Sequence, residues 1–456
     1  MSGRLELAPQ MTAALPVLLR LEEAGHEAVF VGGCVRDLLL GLPLKDVDIA
    51  SPAEPEEVMS LFPGCIPTGL QHGTVSVRSG GQLYEVTTYR AEAEYVDARR
   101  PSSVSFIRDL KEDLQRRDFT INAMALNRHG ELEDPFGGHG DLQRSRLRAV
   151  GVAKERFAED ALRLLRGVRF ASLYKLRPTK GTWRGLMESR EGLRQIAMER
   201  VGAELDRIAG GGGLTRAAAL LSASDLPAYF KEPLPCWKEI KKCCLSGTKQ
   251  RQTIAQRLEA ADQLKTADAG WAALFVLLGA APETAGEWFE RLRYSNARKD
   301  RLTALLRLHA KLAQTGWQAP SKADWTDAVL EQGPAAAANW LEWVGEAEAA
   351  GLTADKLSEI TAVEHITDKS FNMLPLEKES LSSLFAEWFK QIPARSLKEL
   401  AVGGREVQTE LGRKPGPWLG PLLGQLLRET AHGKLPNEKE MLLKRARQLA
   451  EGELTT

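Results

Sequence analysis

Cysteine is scarce: five residues in a chain of 456, an odd number, with no C-x-x-C pair. That argues against a disulfide scaffold and against a cysteine-built zinc site. Cys243 and Cys244 are adjacent, a spacing that rarely bridges, so a reducing, cytoplasmic setting is expected. Long apolar runs are also missing. None approaches the ~20 residues that span a bilayer. The N-terminus, Met1 to Glu6, lacks the basic-then-apolar pattern of a signal peptide, so no membrane partner is expected. Net charge is absent too, with 61 acidic against 61 basic residues. Any basic surface for nucleic acid must therefore be local, with acidic surface elsewhere. There is no repeat at a fixed period and no low-complexity tract. None of the seven histidines shows an evident role, and His72, before Gly73, reads as a turn residue.

What is present describes a folded protein: 43% hydrophobic and 27% charged residues. The length exceeds one compact core and suggests roughly two to four domains. Strand signals are confined to the first third. Ala28 to Val31 is a short apolar run ending in Gly32-Gly33, and Val47-Asp48-Ile49 is a second candidate. Thr74 to Arg78 and Gln82 to Tyr89 flank Ser79-Gly80-Gly81 and predict a hairpin. Helices are predicted from about Pro9 to Ala24, stopping at Gly25, and from about Glu54 to Phe62. After Asp134-Pro135-Phe136-Gly137-Gly138 the apolar spacing becomes three and four, as in Leu162, Leu165, Val168 and in Leu302, Leu305, Leu306. Gly210 to Gly213 reads as a joint, and Pro334 to Val344, with Trp340 and Trp343, as a core-packing helix. The expected fold class is α+β: a small N-terminal sheet domain, then an elongated all-helical arm.

Asp46 and Asp48 flank Val47. On a strand, residues two apart share a face. Two ionised carboxylates side by side need a cation between them, and hard oxygen ligands favour Mg2+. Two-metal in-line phosphoryl transfer uses such a pair. Alone, D-x-D is also a common pair of surface acids. Its context adds weight: Gly32-Gly33 follows a strand and precedes a helical stretch from Val35 to Leu40. Without Cβ atoms, that backbone, Gly33 included, can approach an anion. Arg36 reaches phosphate from the first turn of that helix or pairs with Asp37. The D-x-D begins ten residues after Arg36. Glu85, in Tyr84-Glu85-Val86, is a third carboxylate or simply an exposed strand residue.

Together, Val31-Gly32-Gly33-Cys34-Val35-Arg36-Asp37 and Leu44-Lys45-Asp46-Val47-Asp48-Ile49 resemble the signature of class II tRNA nucleotidyltransferases and bacterial poly(A) polymerases. Four further stretches match in order. They are Arg116 to Ala123 (RRDFTINA), Asp134 to Gly138 (DPFGG), Glu159 to Phe170 (EDALRLLRGVRF) and Glu199-Arg200-Val201. Arg413-Lys414-Pro415-Gly416-Pro417-Trp418, with Pro436-Asn437-Glu438-Lys439, resembles the tail of firmicute-type CCA-adding enzymes. The resemblance implies four pieces: head 1–146, neck 147–212, body 213–325 and a tRNA-binding tail 326–456. It implies Mg2+-dependent addition of C, C and A to the tRNA 3′ end from CTP and ATP without a template. A homodimer is compatible with it.

The family's base-reading motif E-D-x-x-R falls on Glu159, Asp160 and Arg163. Cytosine and adenine share an exocyclic amine where uracil and guanine carry a carbonyl. A carboxylate accepts from the amine and repels the carbonyl, while an arginine donates to the neighbouring ring acceptor. Such a bidentate contact is worth ~1–3 kcal/mol of discrimination. Asp160 and Arg163, three apart, are expected on one helix face. Each further step of three drifts backwards by about 60°, so Arg166 stays near the nucleotide and Arg169 turns away unless its side chain wraps back. A salt-bridged amphipathic helix would show the same spacings. Arg117 resembles the arginine that contacts the incoming nucleotide, whereas Asp118 is read as a cap.

The loop around Tyr95-Val96-Asp97-Ala98-Arg99-Arg100-Pro101 resembles one that CC-adding relatives lack, which argues against a CC-only enzyme. It leaves an A-adding enzyme open, and poly(A) polymerases are close in the head. The tail motif favours tRNA, with Arg405, Arg413, Lys414, Lys434 and Lys439 as candidate phosphate contacts. A non-catalytic RNA-binding relative would be expected to lose a metal ligand or a base reader. Asp46, Asp48, Asp160 and Arg163 are all present.

Overall fold

A computed structural model describes residues 4–92, 104–245, 259, 261–315, 321–352 and 380–452. The loop read at Tyr95 to Pro101 lies outside the described residues. The chain forms two compact units. One runs to Ile208 and resumes over Arg216–Pro233; the other takes Ala209–Thr215 and the chain from Leu234 onward.

The first unit is built on a seven-stranded sheet of order β3-β4-β5-β2-β1-β8-β9. Its strands are β1 (Val29–Val31), β2 (Asp48–Ser51), β3 (Ile66–Gly69), β4 (Thr74–Ser79), β5 (Gln82–Thr88), β8 (Ala125–Leu126) and β9 (Leu132–Glu133). Two short pairs lie outside it: β6 (Arg90–Glu92) with β7 (Val104–Phe106), and β10 (Arg146–Leu147) with β11 (Arg177–Pro178). β1 is buried along its whole length, as a continuous apolar run in a central strand requires. The predicted hairpin is present. Ser79 pairs with Gln82, and the two intervening glycines, Gly80 and Gly81, have φ of 57° and 80°. Both central residues at positive φ define a type I′ turn, whose twist matches the strands.

Helix α1 (Pro9–Glu23) carries Pro9 at the first turn and Pro16 inside, and buries Met11, Ala14, Val17, Leu18 and Leu21. It stops before Gly25, at φ 88°. Helices α2 (Gly33–Leu39) and α3 (Pro55–Leu61) follow their strands. Helix α4 (Leu110–Gln115) is capped by Asp109, which accepts from the Glu112 amide at 3.0 Å. Leu110 and Leu114 join Val29, Val31, Ala50, Tyr89 and Val150 in the core beneath the sheet. Beyond β9 come α5 (Gly138–Gln143), α6 (Ala153–Glu159), α7 (Leu162–Leu173), α8 (Lys180–Glu188) and α9 (Met198–Ala209).

The second unit is helical throughout its described residues. Helix Pro334–Ala349 buries Trp340 and Trp343, as its sequence predicts. Trp340 meets Trp325 and Phe385 at ring distances of 5.5 and 5.2 Å. Trp271, Phe275, Trp288 and Phe289 form another edge-to-face cluster. A separate core packs Val407, Leu422, Leu426, Leu442 and Ala446. The architecture is α+β, with an N-terminal sheet followed by helices.

One strand boundary differs from the sequence reading. The second strand starts at Asp48, so Asp46 and Val47 precede it. The argument that Asp46 and Asp48 share a face by strand alternation therefore fails; any proximity comes from the loop.

Candidate nucleotidyl-transfer site

Between β1 and α2 the chain turns at Gly32, with φ 72° and ψ −124°, a region essentially restricted to glycine. A Cβ there would lie 2.8 Å from Arg117 Nη1 and 3.9 Å from Asp48 Oδ2. The turn is thus a patch of bare backbone, bounded by a guanidinium on one side and a carboxylate on the other. Cys34, just inside α2, packs its thiol against the carbonyls of Val31 and Asp48. Burial pushes that thiol up to about 11, so it sits protonated beside the acids.

Asp48 opens β2 and is half-buried. In the parallel β2–β5 pairing its direct partner is Glu85. Asp46 is exposed, two residues earlier. The Asp48 carboxyl is raised from its ordinary value by burial first. Glu85 raises it further, Arg117 opposes, Asp46 raises it again, and Arg36 opposes. Three acids therefore act on one another here. Glu85 is exposed, as alternation along its strand predicts, and its place beside Asp48 comes from the neighbouring strand.

Among the described residues, no three His, Cys, Asp or Glu side chains form a complete ion cage. The donor set is nonetheless the right kind for Mg2+, which keeps several waters and takes one or two carboxylates plus substrate phosphates. The mutual repulsion around Asp48 is what a bound cation would relieve.

Of the two roles read for Arg36, the geometry holds the pairing. Its guanidinium donates to both oxygens of Asp37 at 2.9 and 3.0 Å and to Asn122 Oδ1 at 2.6 Å. It also lies 4.4 Å from the Tyr174 ring centre, in a cation–π contact. Gly33 abuts it: a Cβ at that position would stand 3.5 Å from Arg36 Nη2. Arg117 is held more loosely, by Asp113 at 3.3 Å and by the Asn122 carbonyl at 3.4 Å. Its Nε is buried without a hydrogen-bond partner among the described residues. The atom that faces the glycine turn is Nη1, so the guanidinium stands where an anion would meet the bare backbone.

Asp118 is not the cap that its sequence context suggests. It is buried, accepts from the Phe119 amide at 2.8 Å and from Asn122 Nδ2 at 3.0 Å, and pairs with Arg166 at 2.7 Å. Burial by itself would raise this carboxyl. Arg166 and the hydrogen bonds outweigh burial and hold it below the usual range.

The expected helix face carrying Asp160 and Arg163 is also corrected. Helix α6 ends at Glu159 and α7 starts at Leu162, leaving Asp160 extended at φ −144°. Its Oδ1 accepts from the Leu162 amide at 3.0 Å, which starts α7. Its Oδ2 pairs with Arg200 at 2.9 Å. Arg163 pairs instead with Glu159. It also donates to the carbonyls of Arg156 and Arg116 at 2.9 and 3.1 Å. Arg169 turns to Glu204 on α9 at 2.7 Å and stacks over Phe170 at 4.3 Å. Arg200 was missed as a site residue, although Glu199-Arg200-Val201 was among the motif stretches. Only the fold shows that Arg200 answers Asp160. Both halves lie in one unit, joined by Arg163 to the Arg116 carbonyl and Arg166 to Asp118.

The Poly A polymerase head domain family matches residues 28–148, and tRNA nucleotidyltransferase domain 2 matches residues 350–446. The CCA-adding enzyme of Anoxybacillus flavithermus is 36% identical over 95% of this chain and 96% of its own length. That of Lacticaseibacillus paracasei is 36% identical over 99% of this chain and all of its own. The crystal structure of the Bacillus stearothermophilus CCA-adding enzyme in complex with CTP superposes with a TM-score of 0.76. It is 30% identical and covers 98% of this chain and 100% of its own. Identity of this extent along nearly the whole length, together with the glycine turn, the paired acids and the helix-borne arginines, makes the chain a member of the CCA-adding enzyme family.

Proposed function

We propose that this protein adds C, C and A to the 3′ end of tRNA, from CTP and ATP and without a nucleic-acid template. The observation that carries the reading is the convergence on the bare Gly32 turn of the Arg117 guanidinium and the acids centred on Asp48. In each step the tRNA 3′-hydroxyl oxygen bonds to the α-phosphorus of the nucleotide. The bond to the bridging oxygen breaks, diphosphate leaves, and the hydroxyl proton passes to solvent.

Asp46 and Asp48 would hold the divalent cation, Mg2+ by the chemistry of its donors. When bound it neutralises phosphate charge and acidifies the attacking hydroxyl. Arg117 and the Gly32-Gly33 backbone orient the triphosphate. Arg36 fixes the turn from behind through Asp37 and Asn122, so its charge acts on the site at a distance. Asp160 and Arg163 read the base. A carboxylate has about four acceptor positions, so Asp160 can keep the Leu162 amide and Arg200 while accepting a base amine. Arg166 and Arg169 hold α7 against Asp118 and Glu204 and thereby set where Asp160 and Arg163 stand.

The test is incorporation into tRNA lacking its 3′ end, with labelled CTP and ATP supplied separately and together. The expected product is a finished C-C-A end only when both are present. Addition of A alone to tRNA already ending in C-C would instead identify an A-adding enzyme. Long A tails on unrelated RNA would identify a poly(A) polymerase.

A further inference from the structure

The first unit carries a second basic feature that the nucleotide site does not use. A groove of about 1040 Å³ runs between β10, β11, α6 and α8. Arg144, Arg146, Arg148, Arg177, Lys180 and Arg184 line it, all of them exposed. Among the described residues, two acids answer this charge. Asp141 holds Arg148 at 2.9 Å, and Glu188 stands 3.9 Å from Lys154. Arg146, Arg177, Lys180 and Arg184 have no carboxylate partner among the described residues.

The core of the groove is built against its own electrostatics. Arg146 and Arg177 are direct partners in the β10–β11 ladder. Like charges placed opposite each other destabilise a strand pair. The floor is rigid, because Gly185 lets α8 sit against α6. A Cβ there would lie 2.7 Å from Ala153 Cβ and 2.9 Å from the Lys154 amide. A chain with no net charge has nonetheless concentrated cations here. The groove has the volume of a large ligand pocket, but cations hold much of a lining that such pockets make mostly apolar. An open row of cations fits an extended polyanion with regularly spaced charges.

We propose that this groove is a phosphate-backbone track for the RNA substrate, a contact separate from the nucleotide site. The proposal rests on the reading of tRNA as substrate. Arg148 and Ala149 meet the Phe119–Thr120 segment through backbone, but Arg146 and Arg177 have no ion pair with a nucleotide-site group among the described residues, so these two contribute to RNA affinity and leave nucleotide choice and chemistry alone.

The test compares the full chain with the double variant Arg146→Glu/Arg177→Glu in filter binding to a tRNA transcript lacking C-C-A, across a series of salt concentrations. Loss of two phosphate contacts should weaken binding about tenfold at low salt. It should also lower the slope of log affinity against log salt by about 2. The KM for CTP and turnover at saturating tRNA should stay at wild-type values. The milder Arg146→Gln/Arg177→Gln pair decides the matter if charge reversal disturbs folding, judged by the thermal midpoint. Unchanged tRNA affinity and salt slope in a variant that melts like wild type would overturn the proposal. So would loss of tripolyphosphate binding with tRNA binding intact. If the wild type adds no nucleotide to tRNA, the functional reading fails, while the salt slopes still judge the groove.

Discussion

Asp46 and Asp48 differ in what they contribute to the fold, and that separates chemistry from stability. Asp46 is exposed and precedes its strand, so Asp46→Ala removes the proposed cation ligand at little structural cost. Incorporation of both CMP and AMP should vanish while tRNA binding stays nearly intact. Activity retained in a polymerisation assay would remove the metal-site assignment. Asp160 is different again. It starts α7 through the Leu162 amide and holds Arg200. Asp160→Ala should relax base choice before it abolishes addition, and complete exclusion of UTP and GTP in that variant would refute base reading. Asp48 was legible as half of a D-x-D in its glycine-turn context, and Asp160 through the family resemblance. Their partners were not. Glu85 reaches Asp48 across a sheet, and Arg200 reaches Asp160 over forty residues of chain.

At the scale of elements, the motif glycines explain themselves by what they touch. In Asp134-Pro135-Phe136-Gly137-Gly138, Asp134 accepts from the amides of Gly138 and His139 at 2.7 and 3.0 Å and so starts α5. Gly137 supplies φ 75°. At Gly138 a Cβ would collide with the Thr120 carbonyl oxygen. That oxygen belongs to the short 3-10 turn Thr120–Asn122, which follows Arg117 and Asp118. Gly138→Ala should therefore push α5 off the turn and cost about 1–3 kcal/mol. Thermal unfolding should show a lowered midpoint, with a raised KM for nucleotide as Asn122 shifts beneath Arg117. A midpoint at the wild-type value would show that α5 has slack. Element types and the hairpin turn were readable from local pattern. The break between α6 and α7 was not, because Glu159-Asp160-Ala161 carries no glycine or proline to announce it.

At the scale of the whole molecule, the second unit depends on buried aromatic packing, and that packing encloses a histidine. His309 is buried, accepts from Trp340 Nε1 at 3.3 Å and sits edge-on to Trp343 at 5.4 Å. Burial pushes it down to about 3 from an ordinary value near 6.5. The neutral form is favoured in the fold, so this stability is fully present above pH 6.5. It is lost as pH falls towards 3, because the unfolded chain takes a proton that the folded chain refuses. The slope contributed approaches about 1.4 kcal/mol per pH unit. Urea unfolding followed by tryptophan fluorescence should weaken between pH 7 and pH 5, and His309→Gln should flatten that dependence. An unchanged slope would assign the effect elsewhere. No helix among the described residues is long and apolar enough to cross a membrane.

By itself the sequence determined the α+β class and the glycine turn, and marked Asp46, Asp48 and the two arginine-bearing motifs as candidates. Each depends on local backbone geometry or on chemistry within a few residues. Only the tertiary structure decided which charges meet. It set Glu85 beside Asp48, Arg200 on Asp160, Arg166 on Asp118, and Arg146 opposite Arg177. Those pairings follow from strand register and helix packing, which the burial of side chains along the whole first unit selects. No spacing along the chain encodes them.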